Sequence, residues 1–170
     1  TLPGVSEDSL LSEGETIEDV VWNKEGTAAL ILVGRGDATP LHLNDSTGLH
    51  PIPVGGMVPN SISTSGSGWL LAGDNGSLAS SDGTSLSPIA LGWGAGVPLD
   101  IMAAASNDGK SGFIISKQGS QTLLHNFWNG VVSEGSSPPV SSTMMTDIFL
   151  SSNEKLVIVT GYDTALGNPT

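Results

Sequence analysis

The 170-residue chain has no cysteine, which excludes a disulfide framework and any zinc site built on thiolates. Bases are almost as scarce: five Lys+Arg stand against 17 Asp+Glu, for a formal net charge of -12. So few cations cannot neutralise a phosphate backbone or hold an anionic lipid surface, so nucleic acid is a poor partner and a basic protein a better one. Long apolar runs are missing as well. The longest weakly polar stretch, Ile89 to Ala105, is broken by glycines, Pro98 and Asp100. It falls short of the roughly 20 apolar residues that a membrane-spanning helix needs. No window keeps apolar residues at i, i+3, i+4 and i+7 for several turns without a glycine or proline, so helix is expected to be nearly absent.

What remains is 38% hydrophobic and only 13% charged, with 23 glycines and ten prolines, a composition that folds. Residues 1–16 read as a flexible acidic lead-in, dominated by Glu7, Asp8, Glu13 and Glu15. Thr1 is not a methionine, and no charged and then apolar leader precedes it, so the chain is expected to be processed or excised. The compartment is left open, with an exported or extracytoplasmic setting favoured. From Ile17 onward, short runs of Val, Ile, Leu and Ala alternate with clusters of Gly, Asn, Asp and Ser. These are strands and turns, and the fold class is all-β.

One module recurs along residues 17–170. A strand, a short polar turn and an apolar strand run from Val20 through Asn23 and Gly26 to Gly34. The same order returns from Ser61 to Gly73, from Ile101 to Ser116 and from Asp147 to Gly161. Taking Gly34, Gly73, Ser116 and Gly161 as equivalent, the spacings are 39, 43 and 45 residues. A period in this range carrying four short strands is the signature of β-propeller blades. The units are approximately 17–56, 57–97, 98–139 and 140–170, and the last stops after its second strand. About three and a half four-stranded repeats are therefore expected, as part of a larger propeller or of a two-chain ring. An outer strand supplied by Ser9, Leu10 and Leu11 to a four-bladed ring is the third arrangement.

The second unit, from Gly68-Trp69 through Gly73-Asp74-Asn75-Gly76 to Ser81-Asp82-Gly83, resembles the repeat of Asp-box propellers, and within them the photosystem II assembly-factor type. The turn Ser106-Asn107-Asp108-Gly109-Lys110 is similar to the inter-strand turn of many propeller families. The tryptophan expected after Ser-x-Asp-Gly is missing, and the first unit matches only through Val33-Gly34-Arg35-Gly36. The resemblance implies a propeller fold and leaves function open.

Asp-box propellers include sialidases, whose chemistry would need a cluster of arginines and a tyrosine nucleophile. Arg35 is the single arginine and Tyr162 the single tyrosine, so such chemistry would need further blades. His42, His50 and His125 are scattered and have no metal-ligand spacing; they read as structural. Gly92-Trp93-Gly94-Ala95-Gly96 lacks the spacing of a phosphate cradle and reads as an interblade link. Asp45, Asp74, Asp82, Asp108 and Asp163 sit in glycine-containing turns that could offer oxygens to calcium, but no Asp-x-Asp-x-Asp-Gly run gathers them. No metal or cofactor site is therefore assigned, and no catalytic residue. Trp22 and Trp69 are expected in the core. Trp93 and Trp128, near glycines and bends, are the candidate partner contacts. Arg35 and Asp37, at an expected hairpin tip, are the others. The leading reading is a non-enzymatic scaffold or assembly factor that binds a protein, and the alternative is an exported propeller that binds or processes carbohydrate.

Overall fold

The computed structural model describes residues 16–34, 41–93, 100–138, 143–151 and 155–164. The fold is all-β, and the described residues contain no α-helix. Sheet 1 is an antiparallel meander of β1 (Thr16–Trp22), β2 (Ala29–Gly34), β3 (Leu41–Asp45) and β4 (Gly48–Ile52). Sheet 2 repeats it with β5 (Pro59–Ser65), β6 (Gly68–Gly73), β7 (Leu78–Ser81) and β8 (Leu86–Pro88). Sheet 3 holds β9 (Asp100–Ala105), β10 (Ser111–Gln118), β11 (Gln121–Trp128) and β12 (Val131–Val132). Sheet 4 consists of β13 (Thr143–Leu150) and β14 (Val157–Asp163).

The second strands of sheets 1 to 3 explain why their apolar runs are unbroken rather than alternating. A strand covered on both faces must be apolar at every position. Trp69 and Leu71 of β6 face sheet 1, where they meet Leu30, Leu32, Leu41, Leu43 and Ile52. Leu70 and Ala72 of the same strand face sheet 3, meeting Ile101, Ala104, Ile114 and Phe127. In β10, Ile115 points the other way and packs with Ala103, Ala105, Met145 and Ile148. Three apolar layers thus join four sheets in succession, each buried leucine or isoleucine contributing about 1.5–3 kcal/mol.

The first strands lie side by side and are stitched by side chains. Thr64 Oγ1 donates to Trp22 O at 3.0 Å, and Ser63 Oγ donates to Ala104 O at 2.7 Å. Asn60 Nδ2 donates to Ile101 O at 3.3 Å, and Asn107 Nδ2 to Ser151 O at 3.0 Å. The partners are 41 to 44 residues apart, so the period of the sequence becomes a step from one sheet to the next. Each first strand also carries a bulge at the same place. The pairing skips Glu18 in β1, Asn60 in β5, Met102 in β9 and Thr146 in β13. An added residue there bends the strand and increases its twist.

Trp69 lies in the core as expected, 2% exposed, with Nε1 donating to Val21 O at 2.7 Å. Trp22 does not: it is 45% exposed. Its neighbour Val21 faces the layer between sheets 1 and 2, so strand alternation turns Trp22 to the opposite side. The lead-in expected over 1–16 overlaps the described chain only at Thr16, where β1 begins. Ser9, Leu10 and Leu11 lie outside the described residues.

Candidate functional site

The turns between first and second strands of sheets 1 to 3 fall at one end of the stack, where a cavity of about 340 Å³ receives residues from every sheet. Lys24 comes from sheet 1, Ser63 and Thr64 from sheet 2, Asn107 from sheet 3 and Phe149 from sheet 4. Local chemistry fixes these turns. Asn23 Oδ1 accepts from the backbone N–H groups of Thr27 and Ala28, at 2.9 and 3.2 Å. In sheet 3, Asp108 Oδ1 accepts from the N–H of Lys110 at 2.7 Å and of Ser111 at 2.8 Å. Such short polar side chains fold the turn by bonding their own backbone.

The cavity offers a mixed surface. Ser63 and Thr64 spend their protons on backbone carbonyls, which leaves their oxygens as acceptors. Phe149 is 58% exposed and presents an aromatic ring. Among the described residues Lys24 is the only ionisable side chain in the lining, so they place no carboxylate–imidazole or carboxylate–carboxylate pair for proton transfer there.

Carboxylates elsewhere fall into two environments. Hydrogen bonds from Thr47 lower the pKa of Asp45, and those from Thr84 lower that of Asp82. Asp108 is partly desolvated, which pushes its carboxyl up, but the bonds from Ser111 and Lys110 outweigh this and the net shift is down. Asp19 moves the other way: burial raises its pKa against hydrogen bonds from Ile62 and Val20, and the charge of Asp147 adds to the rise. Asp100 is also raised, by burial and then by the charge of Asp74. The candidate calcium aspartates are dispersed: Asp45 and Asp163 end strands β3 and β14 rather than lying in turns, and Asp74, Asp82 and Asp108 lie in separate loops. Among the described residues no three His, Asp or Glu side chains gather as a metal site.

The histidines sit in separate environments too. His42 is in β3 and His50 in β4, while His125 is in β11. His125 Nδ1 lies 3.0 Å from Ser133 O, and a carbonyl can only accept, so Nδ1 carries the proton. Nε2 then accepts from Ser116 Oγ at 2.8 Å. A serine bonded to a histidine has the form of an activated nucleophile, yet Ser116 is 0% exposed and no substrate carbonyl can approach it. The pair holds the third sheet together. Sequence spacing does not reveal it, because the two residues meet across a strand pair.

Trp93 packs edge-on against His125, with centroids 5.3 Å apart and planes at 87°, and is half-buried beside the layer between sheets 2 and 3. Trp128 has the opposite character. It pairs with Val131 across the β11–β12 hairpin, and both are 68% exposed. Arg35 and Asp37 lie outside the described residues. Phe149 and Lys24 were not singled out by the sequence reading, since their meeting depends on the order of sheets rather than on any motif. No family model, curated protein or solved structure matches the chain.

Proposed function

We propose that this chain is a protein-binding module of scaffold type, whose contact surface centres on Trp128 and whose partner is basic. The observation that carries this reading is the exposure of a tryptophan–valine pair on the tip of a short hairpin, on a chain of net charge -12. Aromatic anchors of this kind supply most of the binding energy at protein interfaces. The surrounding negative field speeds encounter with a cationic partner and weakens as salt screens it.

The architecture that goes with this reading is a set of β-propeller blades of the Asp-box type, belonging to a larger or two-chain ring. Four points support it: the meander repeated in three sheets, the bulge repeated in every first strand, the adjacency of those strands, and the sheet-to-sheet step of 41 to 44 residues. A second reading, a carbohydrate-binding propeller, is favoured by Phe149 beside the hydroxyls of Ser63 and Thr64 in the shared cavity, since a sugar ring offers both C–H faces and hydroxyl donors.

Selection of a displayed random-peptide library on the immobilised protein tests the leading reading. Enrichment of sequences that combine Lys or Arg with apolar residues is expected, with loss of at least about tenfold in affinity for Trp128→Ala, the cost of about 1.4 kcal/mol at an anchor. Enriched peptides that bind Trp128→Ala as well as wild type would refute it.

A further inference from the structure

Residues 53–58 join β4 to β5 and pass beside the turn between β6 and β7. Met57 N donates to Val54 O at 3.0 Å across Gly55 and Gly56, which both have left-handed backbones, so the link is a tight turn. Asp74 N donates to Val58 O at 3.1 Å and ties it to sheet 2. Between link and turn lies a cavity of about 300 Å³, walled by Val54, Met57, Leu78, Leu86 and Pro88. Among the described residues Asp74 is the only ionisable side chain in its lining. The Oδ1 of Asp74 accepts from Asn60 Nδ2 at 2.9 Å. A second carboxylate stands beside it, because Asp74 and Asp100 are bridge partners. Burial and then the charge of Asp74 raise the pKa of Asp100, while Lys117 acts the other way. A cation seated on Asp74 relieves that repulsion.

We propose that this cavity receives an arginine side chain of the partner protein, with its stem along Leu78 and Leu86 and its guanidinium on Asp74. Apolar walls that end in a carboxylate match a side chain with an apolar stem and a charged head. Arginine suits them better than lysine, because guanidinium sheds water more readily than ammonium and its planar fork offers a carboxylate two N–H groups. The inference rests on the reading of a basic protein partner and names the group that is recognised. It uses residues of the first two sheets and their link, separate from Trp128 in sheet 3, so the two surfaces can fail independently.

The test is an NMR titration of the isotopically labelled full chain with glycine–serine peptides that carry one central arginine, citrulline or lysine. The arginine peptide is expected to shift the amides of Asp74, Asn75 and Leu78 saturably. Citrulline has the same shape without the charge, and its peptide is expected to bind at least about tenfold more weakly, the order of effect of a close charge pair. The lysine peptide is expected to bind more weakly than the arginine peptide. Asp74→Asn keeps an oxygen for Asn60 and removes the charge, so it is expected to leave the core amides in place and to reduce the arginine peptide to the affinity of the citrulline peptide. Trp128→Ala is expected to retain arginine binding. Equal binding of the arginine and citrulline peptides, undiminished binding to Asp74→Asn, or no saturable shift at these amides overturns the proposal. Equal binding of the lysine peptide overturns the choice of arginine. Shifts confined to the Trp128 hairpin overturn the cavity as the site and leave the reading of Trp128 standing.

Discussion

Trp69 links two sheets by two different forces, and its replacement separates them. Its ring fills the layer between sheets 1 and 2 beside Leu30, Leu32 and Leu71, and its Nε1–H donates to Val21 O on β1. Trp69→Ala removes both, and truncating a buried aromatic costs about 3–5 kcal/mol. For a chain of this length that lowers the thermal midpoint by about 6–20 °C. Trp69→Phe keeps most of the apolar contact but leaves the carbonyl of Val21 without its donor, a loss of about 1–3 kcal/mol. Urea unfolding followed by far-UV circular dichroism measures both. The expected order is wild type, then Phe, then Ala, with the Phe variant falling between the other two. If Trp69→Phe matched wild type, the indole bond to β1 would contribute nothing, and the account of how sheets 1 and 2 are joined would fail. If Trp69→Ala lost less than about 1 kcal/mol, the layer would not be a packed core.

A methyl group tests the close approach of strands at Gly112. A Cβ there would run into the carbonyl oxygen of Ala105, so Gly112→Ala is expected to destabilise by about 1–3 kcal/mol; a neutral effect in the same unfolding assay would contradict the β9–β10 geometry. Acid titration separates the two kinds of aspartate. Asp45, Asp82 and Asp108 have lowered values, so their contribution is present above the ordinary carboxylate value of 3.8 and is lost as pH falls through the depressed folded values. Asp100, raised by burial and by Asp74, behaves oppositely: it favours the fold when protonated and opposes it as pH rises through its raised value. Asp100→Asn is therefore expected to melt higher than wild type at pH 7, with the gap closing on acidification; a gap that widened would refute the assignment.

Much of the fold is legible in the sequence because it rests on local rules. The apolar runs at Leu30–Val33, Trp69–Ala72 and Phe113–Ile115 mark strands buried on both faces, and Asp, Asn and Gly between them mark turns. The repeat spacing places the second strand of every sheet. Trp22 is misread because its type and position match Trp69, whereas burial depends on which face a neighbouring sheet covers. Trp69 lies in a second strand between two sheets, whereas Trp22 is the last residue of β1, beside the exposed turn at residues 24–26. The bulges at Glu18, Asn60, Met102 and Thr146 leave no compositional mark, since any residue type can occupy them.

Function is less legible for a related reason. The polar groups that line the shared cavity serve the sheet junctions first: Ser63, Thr64 and Asn107 each donate to a carbonyl of the adjacent sheet. A residue that holds two sheets together and a residue that holds a ligand are drawn from the same set of hydroxyls and amides, so residue type alone cannot separate the roles. Exposure can. Trp128 and Val131 add nothing to the three apolar layers. Exposing a tryptophan carries a risk of association, so the position of Trp128 and Val131 on the β11–β12 hairpin, rather than their residue type, separates recognition from packing.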